Sequence, residues 1–131
     1  MLWTPNFYRS EFIRPGDKPT PQQEANMRRT AEALQMLRTL WGKPIIITSG
    51  FRTPARQQEV GVAEFSAHLL GLAVDFWVDG IKPKDVQHLL RNHPYGMGRG
   101  KTFTHLDFAL GTHTFPNGKT FTFEPFRRWR Y

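Results

Sequence analysis

The longest regular pattern of apolar residues in the chain predicts a helix. Apolar positions recur at the three- and four-residue spacing of one helix face between residues 27 and 41. Thr20 and Pro21 offer an N-cap and a first helical position, and Gly42 offers a C-terminal stop. We therefore expect one long helix from about residue 21 to Trp41. Its core-facing residues are Met27, Ala31, Leu34, Leu37 and Trp41, and its apolar face is widened by Ala33, Met36 and Leu40.

Shorter apolar runs predict strands. Residues 44–48 form a β-branched run, and residues 71–78 form a second apolar run that ends at a turn. Residues 102–110 alternate between apolar and polar positions, as a half-buried strand does. The pair Asn117-Gly118 is a strong turn signal and predicts a hairpin over residues 115–123.

A second, shorter helix is predicted over residues 83–92, because Val86, Leu89 and Leu90 fall on one side of it. Residues 55–65 are polar and mixed, which is typical of a short helix or a loop.

The first 19 residues are rich in aromatic residues and proline, and we expect an irregular arm packed onto the domain. Residues 94–100 are a glycine-rich turn or strand edge, where glycines permit close backbone approach. The order of elements predicts an α+β fold: a small, mostly antiparallel sheet with one long covering helix and a shorter second helix. We expect residues 1–131 to form a single domain.

Composition narrows the chemistry that the chain can perform. The sequence contains no cysteine, which excludes disulfides, a cysteine nucleophile and thiolate metal sites. Any metal must therefore bind through His, Asp or Glu. No apolar run reaches the ~18 residues that span a bilayer, and no signal peptide is visible at the N-terminus.

The net charge of +7 favours polyanionic partners: nucleic acid, an anionic membrane or an acidic cell-wall polymer. The alternative is a solvated basic face that only aids solubility. Residues 127–131 make the C-terminus basic and aromatic. No zinc-finger or Walker-type motif favours nucleic acid.

The stretch from Ser66 to Asp75 is the strongest candidate for chemistry. It places His68 and Asp75 seven positions apart, with no other charge between them. An imidazole and a carboxylate are both good zinc ligands, and a catalytic zinc typically takes three protein ligands. The alternative is a buried strand with one charged end, in which Asp75 caps a turn or pairs with an arginine.

A third ligand is available in the strand predicted over residues 102–110. His105 and Asp107 share one face of that strand, because side chains alternate between faces. We predict a zinc site at the sheet, with His68, Asp75 and His105 as ligands and Asp107 orienting an imidazole or a basic side chain. The alternative is a surface His–Asp pair.

Three motifs resemble those of the M15-type zinc peptidases, which include D-alanyl-D-alanine carboxypeptidases and peptidoglycan endopeptidases. They are residues 49–54 (SGFRTP), residues 66–75 and the pair His105 and Asp107. The likeness covers roughly residues 7–110 and is strongest to short, single-domain members from phages and bacteria. It implies Zn2+ as cofactor, with the family's ligands falling on His68, Asp75 and His105.

The resemblance also implies roles for two residues beside the metal. Arg52 matches the family's arginine for a substrate carboxylate, such as that of a terminal D-Ala or a D-Glu. Ser66 matches the serine near the metal, and we expect it to contact substrate. The alternative for Arg52 is a structural ion pair with Asp75 or Glu59.

Two positions depart from the family pattern. Many members carry an acidic residue or a histidine three positions before the last ligand, where this chain has Thr102. The proton acceptor is therefore unassigned, and the candidates are Asp107, Glu64 and His93, in that order. Gln57 stands where the family often has asparagine.

The resemblance implies a zinc peptidase that cleaves peptide bonds in peptidoglycan stem peptides or cross-links, as a carboxypeptidase or an endopeptidase. The lack of a visible signal peptide fits a phage lysin released with a holin, or a virion-borne enzyme. We expect a monomer whose partners are peptidoglycan peptides and anionic wall polymers. Alternatives are a non-catalytic zinc-binding module of a wall or virion, and a metal-free basic nucleic-acid binder.

Overall fold

The structure is a computed structural model that describes residues 1–59 and 64–131. Within these residues the helices are α1 (Arg9–Phe12), α2 (Pro21–Trp41), α3 (Pro54–Glu59) and α4 (Pro83–Leu89), with a 3-10 turn at Ala67–Leu70. The strands are β1 (Leu2–Thr4), β2 (Phe7–Tyr8), β3 (Ile45–Ser49), β4 (Ala73–Val78), β5 (Gly96–Arg99), β6 (Thr104–Asp107), β7 (Gly111–Thr114), β8 (Thr120–Phe123) and β9 (Arg127–Arg130).

The main sheet has five strands in the order β3-β4-β6-β5-β9. Its pairs are antiparallel except β5 with β9, which run parallel. The predicted α+β class and the mostly antiparallel pairing are confirmed. Strand β9 was not predicted, because its basic residues suggest a solvated tail.

The N-terminal arm is more regular than predicted. Strands β1 and β2 form a two-stranded ribbon that leads directly into α1. Trp3, Phe7 and Phe12 are buried in the main core, where Phe12 stacks on Trp3 at 6.1 Å and meets Phe7 edge-on at 5.5 Å. The apolar area of these rings fixes the arm on the rest of the molecule.

Helix α2 begins and ends where the sequence predicts. The Thr20 hydroxyl accepts a hydrogen bond from the backbone of Gln23, and Gly42 ends the helix in the left-handed conformation. The buried face is narrower than predicted, because Met36 and Leu40 are 74% and 77% exposed. The residues of α2 that are fully buried in the core are Met27, Ala31 and Leu34. That α2 covers the sheet stays a prediction.

Helix α4 stops at Leu89, earlier than predicted. Val86 is buried and Leu90 packs on the core, but Leu89 is 52% exposed, so its predicted inward position is wrong. The reason is Gln87, whose buried amide donates hydrogen bonds to the backbone oxygens of Gly100 and Phe103. These bonds turn the face with Val86 and Gln87 inward.

The C-terminal third contains the predicted hairpin. Its strands, β7 and β8, flank the turn at Asn117 and Gly118, so the first strand begins earlier than residue 115. The predicted helix or loop over residues 55–65 contains α3, and residues 60–63 lie outside the described part of the chain. No helix in residues 1–59 or 64–131 combines the length and apolar composition of a membrane span.

Candidate metal centre and active site

The register of the main sheet brings Asp75 and His105 together. These residues are direct partners in the antiparallel pairing of β4 with β6. On the other side of β4, Ser49 of β3 is the partner of Asp75, after an irregularity in the register. Asp75 therefore sits in the interior of the sheet, where a carboxylate is costly unless it is paired.

His68 reaches the same place from the 3-10 turn. The Ser66 hydroxyl caps this turn by accepting a hydrogen bond from the backbone N–H of His68 at 3.2 Å. Gly71 ends the turn with φ +74°, and a Cβ there would collide with the backbone oxygen of Gln23 in α2. Ser66 and Gly71 thus fix the turn that carries His68.

The three side chains converge on one oxygen atom. Asp75 Oδ1 lies 3.2 Å from His68 Nε2 and 2.9 Å from His105 Nδ1. All three residues are buried, and one potential ligand atom from each lies within 4.8 Å of the others.

Hydrogen bonds behind the cluster define which ring nitrogens face it with a lone pair. His68 Nδ1 lies 2.7 Å from the carbonyl oxygen of Gly50, which only accepts, so this nitrogen carries the hydrogen. His105 Nε2 lies 3.0 Å from the carboxylate of Asp107 and donates to it. His68 Nε2 and His105 Nδ1 are then the ring nitrogens that face Asp75 Oδ1, and their lone pairs would be the ones to bind a metal.

Burial and neighbouring side chains shift the pKa values of all three residues of the cluster. Burial would raise the pKa of Asp75, but hydrogen bonds with His105 and His68 outweigh it and hold this pKa well below the usual value. Burial lowers the pKa of His68 and favours its neutral form. Burial also opposes a charge on His105, but its bonds to Asp107 and Asp75 raise its pKa.

This donor set fits zinc. Two lone pairs that face a carboxylate oxygen repel it unless a proton or a cation lies among them. Ligand atoms of a tetrahedral zinc site, with bonds of about 2.0–2.2 Å, lie about 3.3 Å apart. Asp75 Oδ1 lies 3.2 Å from His68 Nε2 and 2.9 Å from His105 Nδ1, which is close to that value. The outward N–H groups of both rings already have acceptors, as metal-binding histidines require.

A comparison with known families agrees with this geometry. A family model described as Peptidase M15 matches residues 5–107, which include all three members of the cluster. The chain belongs to the peptidase M15 family. No curated protein matches the chain. Membership in this family supports a peptidase activity. M15 peptidases are typically zinc-dependent, and the buried His–Asp–His group is compatible with that metal.

Arg52, the residue expected to bind a substrate carboxylate in an M15 peptidase, contacts the cluster directly. Its Nη2 donates to Asp75 Oδ2 at 3.1 Å, which is the ion pair expected as the alternative role. Its Nε and Nη1 donate to Ser49 Oγ and Gln57 Oε1. Among the described residues, these bonds use three of the five N–H donors of the Arg52 guanidinium group. The side chain also lines the cavity.

Asp107 holds His105 on one side and Arg127 on the other. Its Oδ2 accepts from His105, while Arg127 donates to both carboxylate oxygens at 2.6 and 3.1 Å. Burial would raise the pKa of Asp107, but the bonds to His105 and Arg127 lower it to about 2. Gly96 makes room for this pair, because a Cβ there would collide with both side chains.

A cavity of about 300 Å³ opens beside the cluster. Trp129 of β9 forms one wall, with its ring centroid 5.0 Å from that of His105. Gly98 permits this approach, since a Cβ there would meet Trp129 and Tyr131. Other lining residues are Phe65, Ser66, Phe103 and Phe123.

The contribution of β9 to the site was not predicted from the sequence. Arg127, Trp129 and Tyr131 all line the cavity, and they lie beyond the residues that the M15 model matches. The available signal was their spacing: alternate residues of a strand share one face.

Of the other residues singled out in the sequence, Glu64, His93 and Thr102 do not line the cavity, whereas Gln57 does. Glu64 is an exposed partner of Lys119 at 3.0 Å. His93 Nε2 lies 2.7 Å from the backbone oxygen of Asp107. Neither lines the cavity within the described part of the chain. Thr102 is exposed, whereas Gln57 is buried and lines the cavity.

Proposed function

We propose that the chain is a zinc-dependent peptidase that cleaves peptide bonds in peptidoglycan stem peptides or cross-links. The observation that supports this most is the convergence of His68 Nε2, His105 Nδ1 and Asp75 Oδ1, each with its own outer partner. The three motifs that resemble those of cell-wall peptidases support this substrate class.

His68, Asp75 and His105 would hold the zinc. Bound there, zinc would supply Lewis acidity, the chemistry that polarises a scissile carbonyl and makes a water more acidic. Arg52 lies at the same cavity, where its remaining donors bind and orient a substrate carboxylate. Apolar walls from Phe65, Trp129 and other rings limit the access of bulk water, which strengthens these electrostatic contacts.

Asp107 is proposed as the residue that positions His105, and its role as the proton acceptor stays a prediction. Both of its oxygens are already bonded, and it is 1% exposed. If Asp107 positions His105, the Asp107→Asn variant binds zinc about 10–100-fold more weakly and regains turnover at excess zinc. If Asp107 accepts the proton, turnover stays low at saturating zinc and its pH profile changes.

The test of the proposed function uses purified peptidoglycan sacculi. Zinc-loaded protein should release soluble muropeptides with new peptide termini, and a chelator should stop the release until zinc is restored. The termini of the products distinguish a carboxypeptidase from an endopeptidase. His68→Ala should release none, with His113→Ala as the matched control outside the cluster. Release that persists in His68→Ala would overturn the proposal.

A non-catalytic zinc-binding module of a wall or virion is the second candidate. One observation favours it: Asp75 and Asp107 are the carboxylates among the described residues that line the cavity, and both are already bonded. A folded, zinc-loaded protein that binds sacculi but cleaves no wall type would support the module. Catalytic release would exclude it.

We also propose that residues 1–131 form a single domain that acts as a monomer, as a phage lysin or as a virion-borne enzyme. The buried aromatic side chains within positions 1–19 support the assignment of a single domain, because they lie in the same core as the sheet. Light scattering should give the mass of one chain, and a stable dimer would contradict this assignment.

A further inference from the structure

Strand β9 separates two different surfaces. Arg127 and Trp129 face the cavity beside the His–Asp–His cluster. Arg128 and Arg130, one position along, face a groove on the other side. Tyr131 lines both the cavity and the groove. A molecule in the groove would therefore lie next to a substrate in the cavity.

The groove is large, and all of the Asp, Glu, Lys and Arg side chains among its described lining residues are basic. It has a volume of about 950 Å³ and runs between α4, the end of β5 and β9. No carboxylate is among its described lining residues. We call it the basic groove. Besides Arg128 and Arg130, its cations are Lys82, Lys84, Arg91, Arg99 and Lys101.

The cations of the basic groove have no acidic partners in the part of the chain that the structure describes. None of them is in an ion pair in residues 1–59 and 64–131. Arg99 Nε is buried and makes no hydrogen bond to the described residues. Arg128 donates to backbone oxygens instead, including that of Tyr95 at 2.8 Å.

Holding these charges together has a cost that an anion would relieve. Burial lowers the pKa of Arg128, and the nearby charges of Arg99 and Arg127 lower it further. Buried donors without acceptors are uncommon in folded proteins. An oxyanion in the groove would accept hydrogen bonds from the exposed donors of these side chains and would screen the repulsion between the guanidinium groups.

We propose that the basic groove binds an anionic wall polymer with a phosphodiester backbone. The choice of a wall polymer rests on the proposed function, because that substrate lies in the same wall. Seven cations suit a chain of regularly spaced phosphates. Proteins that hold single-stranded nucleic acid combine such charges with several stacking rings. Among the described residues that line the groove, by contrast, Tyr131 is the one Phe, Tyr or Trp side chain.

The test measures binding of fluorescent poly(glycerol phosphate) by anisotropy over a range of salt concentrations. Single-stranded DNA with the same number of phosphates is the competing probe. The variant is Lys84→Gln/Lys101→Gln, at two exposed positions of the groove. The matched control is Arg28→Gln/Lys43→Gln, which removes the same charge from exposed positions elsewhere.

We expect the groove variant to weaken binding of the wall-polymer probe by roughly tenfold and to reduce its salt dependence, with less than about a twofold change in the control. An equal loss in both variants, no binding by the unaltered chain, or tighter binding of DNA would overturn the proposal. Cleavage of an isolated stem peptide is measured on the same preparations. Cleavage without polymer binding would defeat the groove alone, whereas polymer binding without cleavage would defeat the proposed peptidase alone.

Discussion

The two sides of β9 treat charge in opposite ways. In the cavity, each charged group has a partner of opposite sign or a matched hydrogen bond: Arg127 with Asp107, and Arg52 with Asp75. In the basic groove, by contrast, the described cations have no partner of opposite charge. Buried charges that are paired within the protein serve its architecture, whereas unpaired charges gathered in a groove are available to another molecule. Removing a charge should therefore have opposite consequences on the two sides.

The largest effect is expected at the cluster itself. His105→Ala removes one of three converging donors, so zinc affinity should fall by more than the roughly 100-fold seen when an outer partner is lost. His113→Ala, a histidine outside the cluster, should bind zinc like the unaltered chain. Titration calorimetry with zinc measures both. Similar affinities in the two variants would show that the cluster does not bind the metal.

The next effect separates the two faces of β9. Arg127→Met leaves the buried carboxylate of Asp107 without its bidentate partner, so the free energy of unfolding should fall by roughly 3–5 kcal/mol. Arg130→Gln, on the groove face, should change it by less than about 0.5 kcal/mol. Urea denaturation of both variants gives the comparison. Equal losses would mean that the faces do not differ as described.

A smaller effect is expected where a paired charge lies away from the cluster. The hydrogen bond from Arg56 lowers the pKa of Asp17. Burial opposes this shift but is outweighed, so the pKa stays below its ordinary value. Its stabilisation is therefore present above about pH 4 and is lost as the pH falls through the lowered pKa. Asp17→Asn should cost about 1–2 kcal/mol at neutral pH.

The pH dependence distinguishes this ion pair from simple packing. Unfolding free energies of the unaltered chain and Asp17→Asn should converge in acid, below the lowered pKa of Asp17. A difference that stays constant from neutral pH into acid would show that the ionised carboxylate is not responsible.

The smallest effect should have the opposite sign. Lys84→Gln/Lys101→Gln removes repulsion among groove cations, so stability should rise by no more than about 0.5 kcal/mol at low salt and the gain should fade as salt increases. Thermal unfolding at two salt concentrations measures it. A clear loss of stability at low salt would show that these lysines make favourable contacts within the protein.

Local patterns predicted much of the fold. Cap residues defined α2, alternation placed Leu106 in the core opposite His105 and Asp107, and Asn117-Gly118 marked the hairpin turn. These features depend on neighbours in sequence. The predicted positions of Met36 and Leu89 on apolar helix faces were wrong, and both side chains are exposed. The width and the rotation of a packed helix face depend on distant partners, such as the backbone near Gly100.

The convergence of the cluster required both a motif and a register. Spacing alone identified His68 and Asp75, whereas the position of His105 depends on the pairing of β4 with β6. The role of β9 escaped prediction because its parallel pairing with β5 joins segments about 30 residues apart in the chain. The local composition of residues 127–131 indicates only charge and aromatic content.

The most direct measurement of the central claim is zinc K-edge X-ray absorption on the purified, zinc-loaded protein. We expect one bound zinc per chain with two imidazole nitrogens and at least one carboxylate oxygen in its coordination sphere. His105→Ala should lose one imidazole from that sphere. A protein that retains no zinc, or a spectrum without imidazole ligands, would contradict the assignment of His68, Asp75 and His105.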